Sequence, residues 1–288
     1  MAINTLYIIG NGFDLAHGMA TRYGDFRKWL IKNGRIDVIQ ELQSAFPSRK
    51  ENNYLLWSDF EKALGRYDID KVINWSWEDL CITVYSDSSR LIRNSDFFLN
   101  PQLIDILSEA FTAWIRSIPL ANTPIDFNPK QEAYYLTFNY TDTLEVLYDI
   151  PNSLILHIHG RASQKEKLIV GHNREIDPSD YCDNNSGMRE NNERMQRLTD
   201  MNNLRKPYHD IIDHNSAFFH NLNYVHDIQI IGHSCAEVDL PYFHKIKESI
   251  DVGAIWHFTP YCEEDKVRIQ KFVQMMGIDY IQTTGIYF

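Results

Sequence analysis

The chain has 288 residues, 44% of them apolar and 23% charged, which supplies enough apolar side chain for a sizeable core. Its formal net charge of −11 repels phosphate backbones and argues against nonspecific nucleic-acid binding. The four cysteines (Cys81, Cys182, Cys235, Cys262) form no C-x-x-C pair, which argues against a structural zinc, and no apolar run is long enough to cross a bilayer. Free thiols without a secretion signal point to the reducing cytoplasm.

In chain order, "TLYIIG" is a short apolar run closed by glycine and predicts a buried parallel strand. "DFRKWLIKNG" and "NNYLLWSDFEKALGRYD" follow with helical spacing. "NPQLIDILSEAFTAWIRSIP" is a helix that Asn100 can cap and Pro119 stops. Trp29, Trp57, Trp75, Trp77 and Trp114 fall in this region and predict a bulky helical core. The pattern then changes. "AYYLTFNY", "SLILHIHG", "KLIVGHN", "DIQIIGHS", "AIWHFTPY" and "DYIQTTGIYF" read as strands. "TDTLEVLYD", "VDLPYFHKIKESI" and "CEEDKVRIQKFVQMMG" read as helices between them.

Strands alternating with helices imply right-handed crossovers and a parallel sheet. The strand segments are 5–10, 133–139, 154–160, 228–232 and 254–261, with a sixth near 279–284. The first strand meets no further sheet segment until residue 133, so the expectation is a single α/β domain over 1–288 with helical insertions at about 25–120 and 186–223.

Ligands of open parallel sheets bind beyond the carboxyl ends of the strands. That rule selects the candidates. Strand one runs into Gly10, Asn11, Gly12, Phe13 and Asp14. The glycines permit a tight turn and close approach of a ligand to the backbone, or serve the turn sterically and nothing more. In "LTFNYTDTLE", Asn139 lies too early to cap the next helix, and its amide suits a ribose hydroxyl or a water; Thr141 or Asp142 suits the cap. In "HIHG", His157 and His159 share one face of a strand, with His159 nearer the rim. An imidazole there can act as a general base or sit as a hydrogen-bonded structural histidine, and His157, deeper, reads as structural. Gly232, His233 and Ser234 end a later strand, where Ser234 can bond a phosphate or ribose oxygen; Asp239 suits the cap of the helix after it.

These motifs together carry a resemblance. "YIIGNGFDLAHG", "WSDFE" at 57–61, "TFNYTDTLE", "HIHG" followed by "IVGH", and "IIGHS" resemble the AbiH family, named for abortive-infection defence against bacteriophage. More distantly, their order is similar to that of sirtuin-type NAD-binding domains. That likeness implies a Rossmann-like (sirtuin-like) parallel sheet flanked by helices. It also implies NAD as substrate, with Asn139 and His159 beside the nicotinamide ribose. Gly10 and Gly12 match the first phosphate-loop glycines, and Gly232 and Ser234 match the late ribose-phosphate loop. The chain departs from the sirtuin pattern in three ways. Phe13 and Asp14 replace a small residue and serine, Thr141 separates Asn139-Tyr140 from Asp142, and the zinc-binding cysteine pairs are absent. Asp14 would repel a pyrophosphate unless turned elsewhere.

The resulting expectation is a cytoplasmic antiphage protein that binds NAD and hydrolyses its nicotinamide–ribose bond, catalysed by Asn139 and His159 and requiring no metal. Asn11, Phe13, Asp14, Asp142 and His233 complete its binding residues. Its partners are NAD or a related nucleotide, a phage-derived trigger and a second copy of the chain. The alternatives are a nucleotide-binding sensor without turnover and a metal-dependent phosphoesterase or nuclease. The latter would draw on Asp14, His17, His157, His159, His172 and Asn173, residue types common in two-metal sites.

Overall fold

The computed structural model describes residues 2–45, 57, 60–65, 101–165, 167–175, 195, 199, 202–279 and 282–284. Trp75, Trp77, Cys81, Cys182, the cap at Asn100 and most of the polar stretch 173–206 lie outside the described residues.

Six strands form one sheet: β1 (Thr5–Ile9), β2 (Tyr134–Thr137), β3 (Ile155–His157), β4 (Asp227–Ile231), β5 (Ile255–Thr259) and β6 (Thr283–Thr284). All neighbouring pairs are parallel, in the order β3-β2-β1-β4-β5-β6. The chain starts in the centre, builds outward through β2 and β3, then returns beside β1 to build β4, β5 and β6. This is the strand order of doubly wound dinucleotide-binding folds, and its topological switch point lies between β1 and β4. The expected α/β architecture and the expected strand positions are therefore observed. "KLIVGHN" is the exception. Outside the sheet, Ile169 donates its N–H to the His159 carbonyl at 2.9 Å, and His172 pairs with Arg205 as an isolated bridge.

β1 is a continuous apolar run because both faces of the sheet are covered: all five of its residues are buried. Alternate residues serve the two layers. Leu6 and Ile8 pack in a cluster with Tyr242, Phe243 and Ile246 of one helix and Ile269 and Phe272 of another. Tyr7 and Ile9 pack in a second cluster with Phe13, Leu144 and Tyr148. The helices that supply these groups are α1 (Asn11–Ala16), α6 (Thr143–Tyr148), α9 (Leu240–Ser249) and α10 (Glu263–Met276). Among the described residues the others are α2 (Tyr23–Lys32), α3 (Ile36–Ala45), α4 (Phe60–Leu64), α5 (Pro101–Ser117), α7 (Tyr208–His214) and α8 (Ser216–His220). Gly277, in the left-handed region at φ 57°, stops α10 as the sequence predicts.

The chain divides into two compact units. The first comprises Met1–Arg22, Thr112–Ile169 and Pro207–Phe288 and holds the sheet. The second comprises Tyr23–Phe111 and Val170–Lys206. Its described residues form an aromatic helical core in which Phe26 meets Trp57, Phe60 and Phe111 edge-on and Trp57 stacks on Phe60. Inside this second unit, Lys206 is buried and its ammonium lies 2.9 Å from the Glu61 carboxylate. The segment read as a helical insertion at 186–223 is thus shared out: α7 and α8 pack with the sheet, contributing Ile211 and Phe219 to its core. Among the described residues no helix is long and apolar enough to cross a membrane.

Candidate functional site

The site is built at the carboxyl ends of β1, β2, β3 and β4, all within the first unit. β1 and β4 are neighbours, and the loops that leave them press backbone against backbone. Gly10 donates its N–H to the Ile231 carbonyl at 3.0 Å, and Gly12 donates to the Gly232 carbonyl at 2.7 Å. A Cβ on Gly12 would meet Gly232 Cα at 2.8 Å, and one on Gly10 would meet His233 Cα at 2.5 Å. Gly232 has φ +64°, and a Cβ there would fall 2.3 Å from the Phe13 nitrogen. What these glycines admit is the neighbouring loop. The amides of Gly12 and Phe13 are also engaged internally, Phe13 donating to the Gly10 carbonyl at 2.9 Å.

The other residues of the first loop divide by exposure. Asn11 is exposed and donates its side-chain amide to the Thr21 carbonyl at 3.0 Å. Phe13 is buried among Phe127, Tyr148 and the His17 ring. Asp14 is buried too. One carboxylate oxygen accepts the Thr141 hydroxyl at 2.6 Å and the other accepts the Thr143 hydroxyl at 2.8 Å. Burial pushes the Asp14 carboxyl up from its ordinary range, while the hydroxyls of Thr141 and Thr143, the charge of His17 and the Asn139 amide oppose that rise. The charge is therefore turned into the protein, where it ties α1 to the loop before α6.

Asn139 stands at the end of β2, buried, and is fixed at three atoms. Its side-chain amide donates to the Gly10 carbonyl at 3.1 Å, and its N–H donates to the Thr137 hydroxyl at 3.1 Å. Its carbonyl accepts Nδ1–H of His157 at 3.0 Å. The other ring nitrogen of His157 meets the Glu145 carboxylate at 2.8 Å. Asp142 occupies the N-cap position of α6, but its side chain does not cap the helix. It takes hydrogen bonds from Arg161 and Ser163 instead. Arg161 also reaches Glu145 at 3.4 Å. Asp142, Glu145 and His157 bring three side-chain atoms within 4.8 Å of one another, and the guanidinium of Arg161 lies on the two carboxylates.

His159 follows β3 and turns the other way. Its ring lies edge-on to Phe138 and to Tyr242 of α9, at centroid distances of 5.4 Å. Its Nε2 is 4.0 Å from Asp239, whose second oxygen is 3.4 Å from Nε2 of His233. Asp239, expected to cap α9, makes no side-chain cap and faces these two imidazoles. Cys235, at φ 52°, donates its N–H to His233 Nδ1 at 2.9 Å, so the neutral His233 carries its proton on Nε2, toward Asp239. Burial, with the charges of Asp239 and Asp265, pushes the Cys235 thiol far above its usual range, so it carries no thiolate. Ser234 is exposed at the rim.

The structure therefore brings Gly10, Gly12, Asp14, Asn139 and Gly232 together around the switch point. Asn139 and His159 come from adjacent strand ends, yet Asn139 engages the α1 side and His159 the α9 side. His17, proposed for a metal, bonds the Phe13 carbonyl at 2.7 Å and the Tyr148 hydroxyl at 2.8 Å. Sequence reasoning missed Glu145, Arg161 and the orientation of Asp239. The alternating Thr141-x-Thr143 beside a buried acid was its available signal for the Asp14 staple.

A family model described as "Bacteriophage abortive infection AbiH" matches residues 6–260. No curated protein and no solved structure matches the chain.

Proposed function

The chain belongs to the AbiH family of bacteriophage abortive infection, and from that premise we propose that it acts in antiphage defence by binding NAD and hydrolysing the nicotinamide–ribose bond. The observation that carries this reading is the hydrogen bond from the Asn139 amide to the Gly10 carbonyl. This bond holds the Asn139 amide beside the β1–β4 switch point, and dinucleotides lie at that point in folds of this strand order, which supports the reading. A ribose lying across the sheet edge meets Asn139 from the α1 side and His159 from the α9 side. The glycosidic bond lengthens toward an oxocarbenium-like state and nicotinamide leaves with the bonding pair. Asn139 holds the ribose from its side, and on the other side water adds to the anomeric carbon and gives its proton to His159. Asn11 and Ser234, exposed at the rim, line the dinucleotide, and Gly10, Gly12 and Gly232 hold the two loops together beneath it. Phe13, Asp14 and Asp142 act one step back, by shaping those loops.

The test is incubation of the purified full chain with NAD, with and without phage lysate, following nicotinamide release. Release in at least one condition, unaffected by EDTA, supports the proposal. NAD left intact in both overturns it, and release abolished by EDTA supports the metal-dependent alternative.

A second reading, a nucleotide sensor without turnover, draws on the near-complete burial of both residues: Asn139 is 6% exposed and His159 3%. Calorimetric binding of NAD or ADP-ribose with no nicotinamide formed identifies that case.

A further inference from the structure

His157 makes two hydrogen bonds, and both partners can only accept. Nδ1 is 3.0 Å from the Asn139 main-chain carbonyl oxygen, and Nε2 is 2.8 Å from the Glu145 carboxylate. A neutral imidazole has one N–H and cannot donate to both. The surrounding charges agree with a second proton. Glu145, 10% exposed, and Asp142, 15% exposed, stand against the single cation of Arg161. Without a charge on His157 this largely buried cluster would hold one negative charge in excess, which low-dielectric surroundings penalise. With it, two anions meet two cations.

We infer that His157 is a positioning residue for Asn139. As an imidazolium clamped by Glu145, it fixes the Asn139 peptide through its carbonyl and so aims the amide whose role was proposed above. The inference rests on that reading for its catalytic meaning, while the clamp itself can be observed without NAD. The charged groups facing His157 are Glu145 of α6 and, behind it, Arg161 of the loop after β3 with Asp142 at the start of α6. From the end of β2 it meets the Asn139 carbonyl. When the ring loses a proton, one of its two bonds must go. Nδ1–H is the bond to a neutral acceptor and is the one lost, because the carboxylate holds the other proton more strongly.

The experiment uses the full chain with ring-15N histidine and 15N-labelled asparagine side chains. His157→Gln identifies the His157 signals, and Asn139→Ala identifies the Asn139 amide. The expected spectrum at neutral pH has both His157 ring nitrogens protonated. As pH rises, the Asn139 side-chain amide should shift in step with loss of the second proton. In Glu145→Gln, which keeps an acceptor but removes the charge, only one ring nitrogen should be protonated at neutral pH. There nicotinamide release should fall at least tenfold in kcat, with KM changed less than threefold. A single protonated nitrogen in the wild-type chain, or an Asn139 amide that ignores the His157 transition, overturns the inference. If the imidazolium and its coupling to Asn139 are seen but no chain turns over NAD, the clamp stands and the hydrolase reading fails. Unchanged kcat in Glu145→Gln with a neutral His157 overturns the positioning role itself.

Discussion

The carboxylate of Asp14 and the hydroxyl of Thr143 meet at 2.8 Å across 129 positions of sequence, both buried. An isolated carboxylate at that depth would be expelled or protonated. The two threonine hydroxyls, with Asn139 and His17 nearby, are what make the site tolerable. Thr143→Val removes one donor, keeps the shape and should cost about 2 kcal/mol of stability at neutral pH, read from urea unfolding. A loss below about 0.5 kcal/mol would mean the hydroxyl is dispensable.

The same carboxyl gives a pH dependence of known sign. Its folded value lies above the ordinary 3.8, so the folded state keeps the proton to higher pH than the unfolded chain does. Its contribution to stability is therefore fullest below 3.8 and declines as pH rises through the folded value. Asp14→Asn removes that decline. The stability of the variant relative to wild type should rise as pH increases above 3.8, and a relative stability that falls there would contradict the assignment.

Glycine in the left-handed region can be replaced cheaply where there is room and not where backbone intervenes. Gly18, at φ +76°, has nothing within 4 Å of a Cβ, whereas Gly232, at φ +64°, has the Phe13 nitrogen at 2.3 Å. Gly18→Ala should cost about 1–2 kcal/mol, the conformational penalty alone. Gly232→Ala should cost at least about 2 kcal/mol more, because two loops must separate. Equal losses in the two variants would show that the β1 and β4 loops are not locked together.

On the proposed mechanism, His159→Ala should lower nicotinamide release at least about 100-fold, the usual contribution of a positioned base. The thermal transition should stay cooperative, since His159 faces the sheet core from its rim and not from its centre. Turnover within threefold of wild type would remove His159 from the mechanism.

In the second unit, Lys206→Met leaves the Glu61 carboxylate without its buried ammonium and should destabilise by about 3–5 kcal/mol. Glu61→Leu combined with Lys206→Met removes both charges and should recover most of that loss. A double variant no more stable than the single one would show that the pair is not what Lys206 contributes.

Much of the sheet could be read from the sequence because its strands are short apolar runs that end in glycine, asparagine or histidine. "TLYIIG" and "DIQIIG" carry no competing helical period. "KLIVGHN" has the same composition, but its hydrogen bonds are taken by loop backbone at His159, Leu204 and Lys206, and tertiary context overrode propensity. The helix-cap expectations for Asp142 and Asp239 failed for a related reason. Both occupy the N-cap position, yet a guanidinium in one case and two imidazoles in the other draw the carboxylates away from the helix amides. The candidate site was found as a set of strand ends. Which layer each side chain enters depends on the register of residues beyond the strands, where period-two alternation no longer holds. That is why Asn139 and His159 looked like companions and instead approach the edge from opposite sides.

The mutual fit of Gly10, Gly12 and Gly232 makes the central seam of the sheet a rivet. Strand ends joined this closely can be displaced only as a pair, so any widening of the carboxyl edge must come from the outer strand ends. Sequence drift at any one of the three positions is equally bound to the other two, since a single added methyl has nowhere to go until both turns are rebuilt.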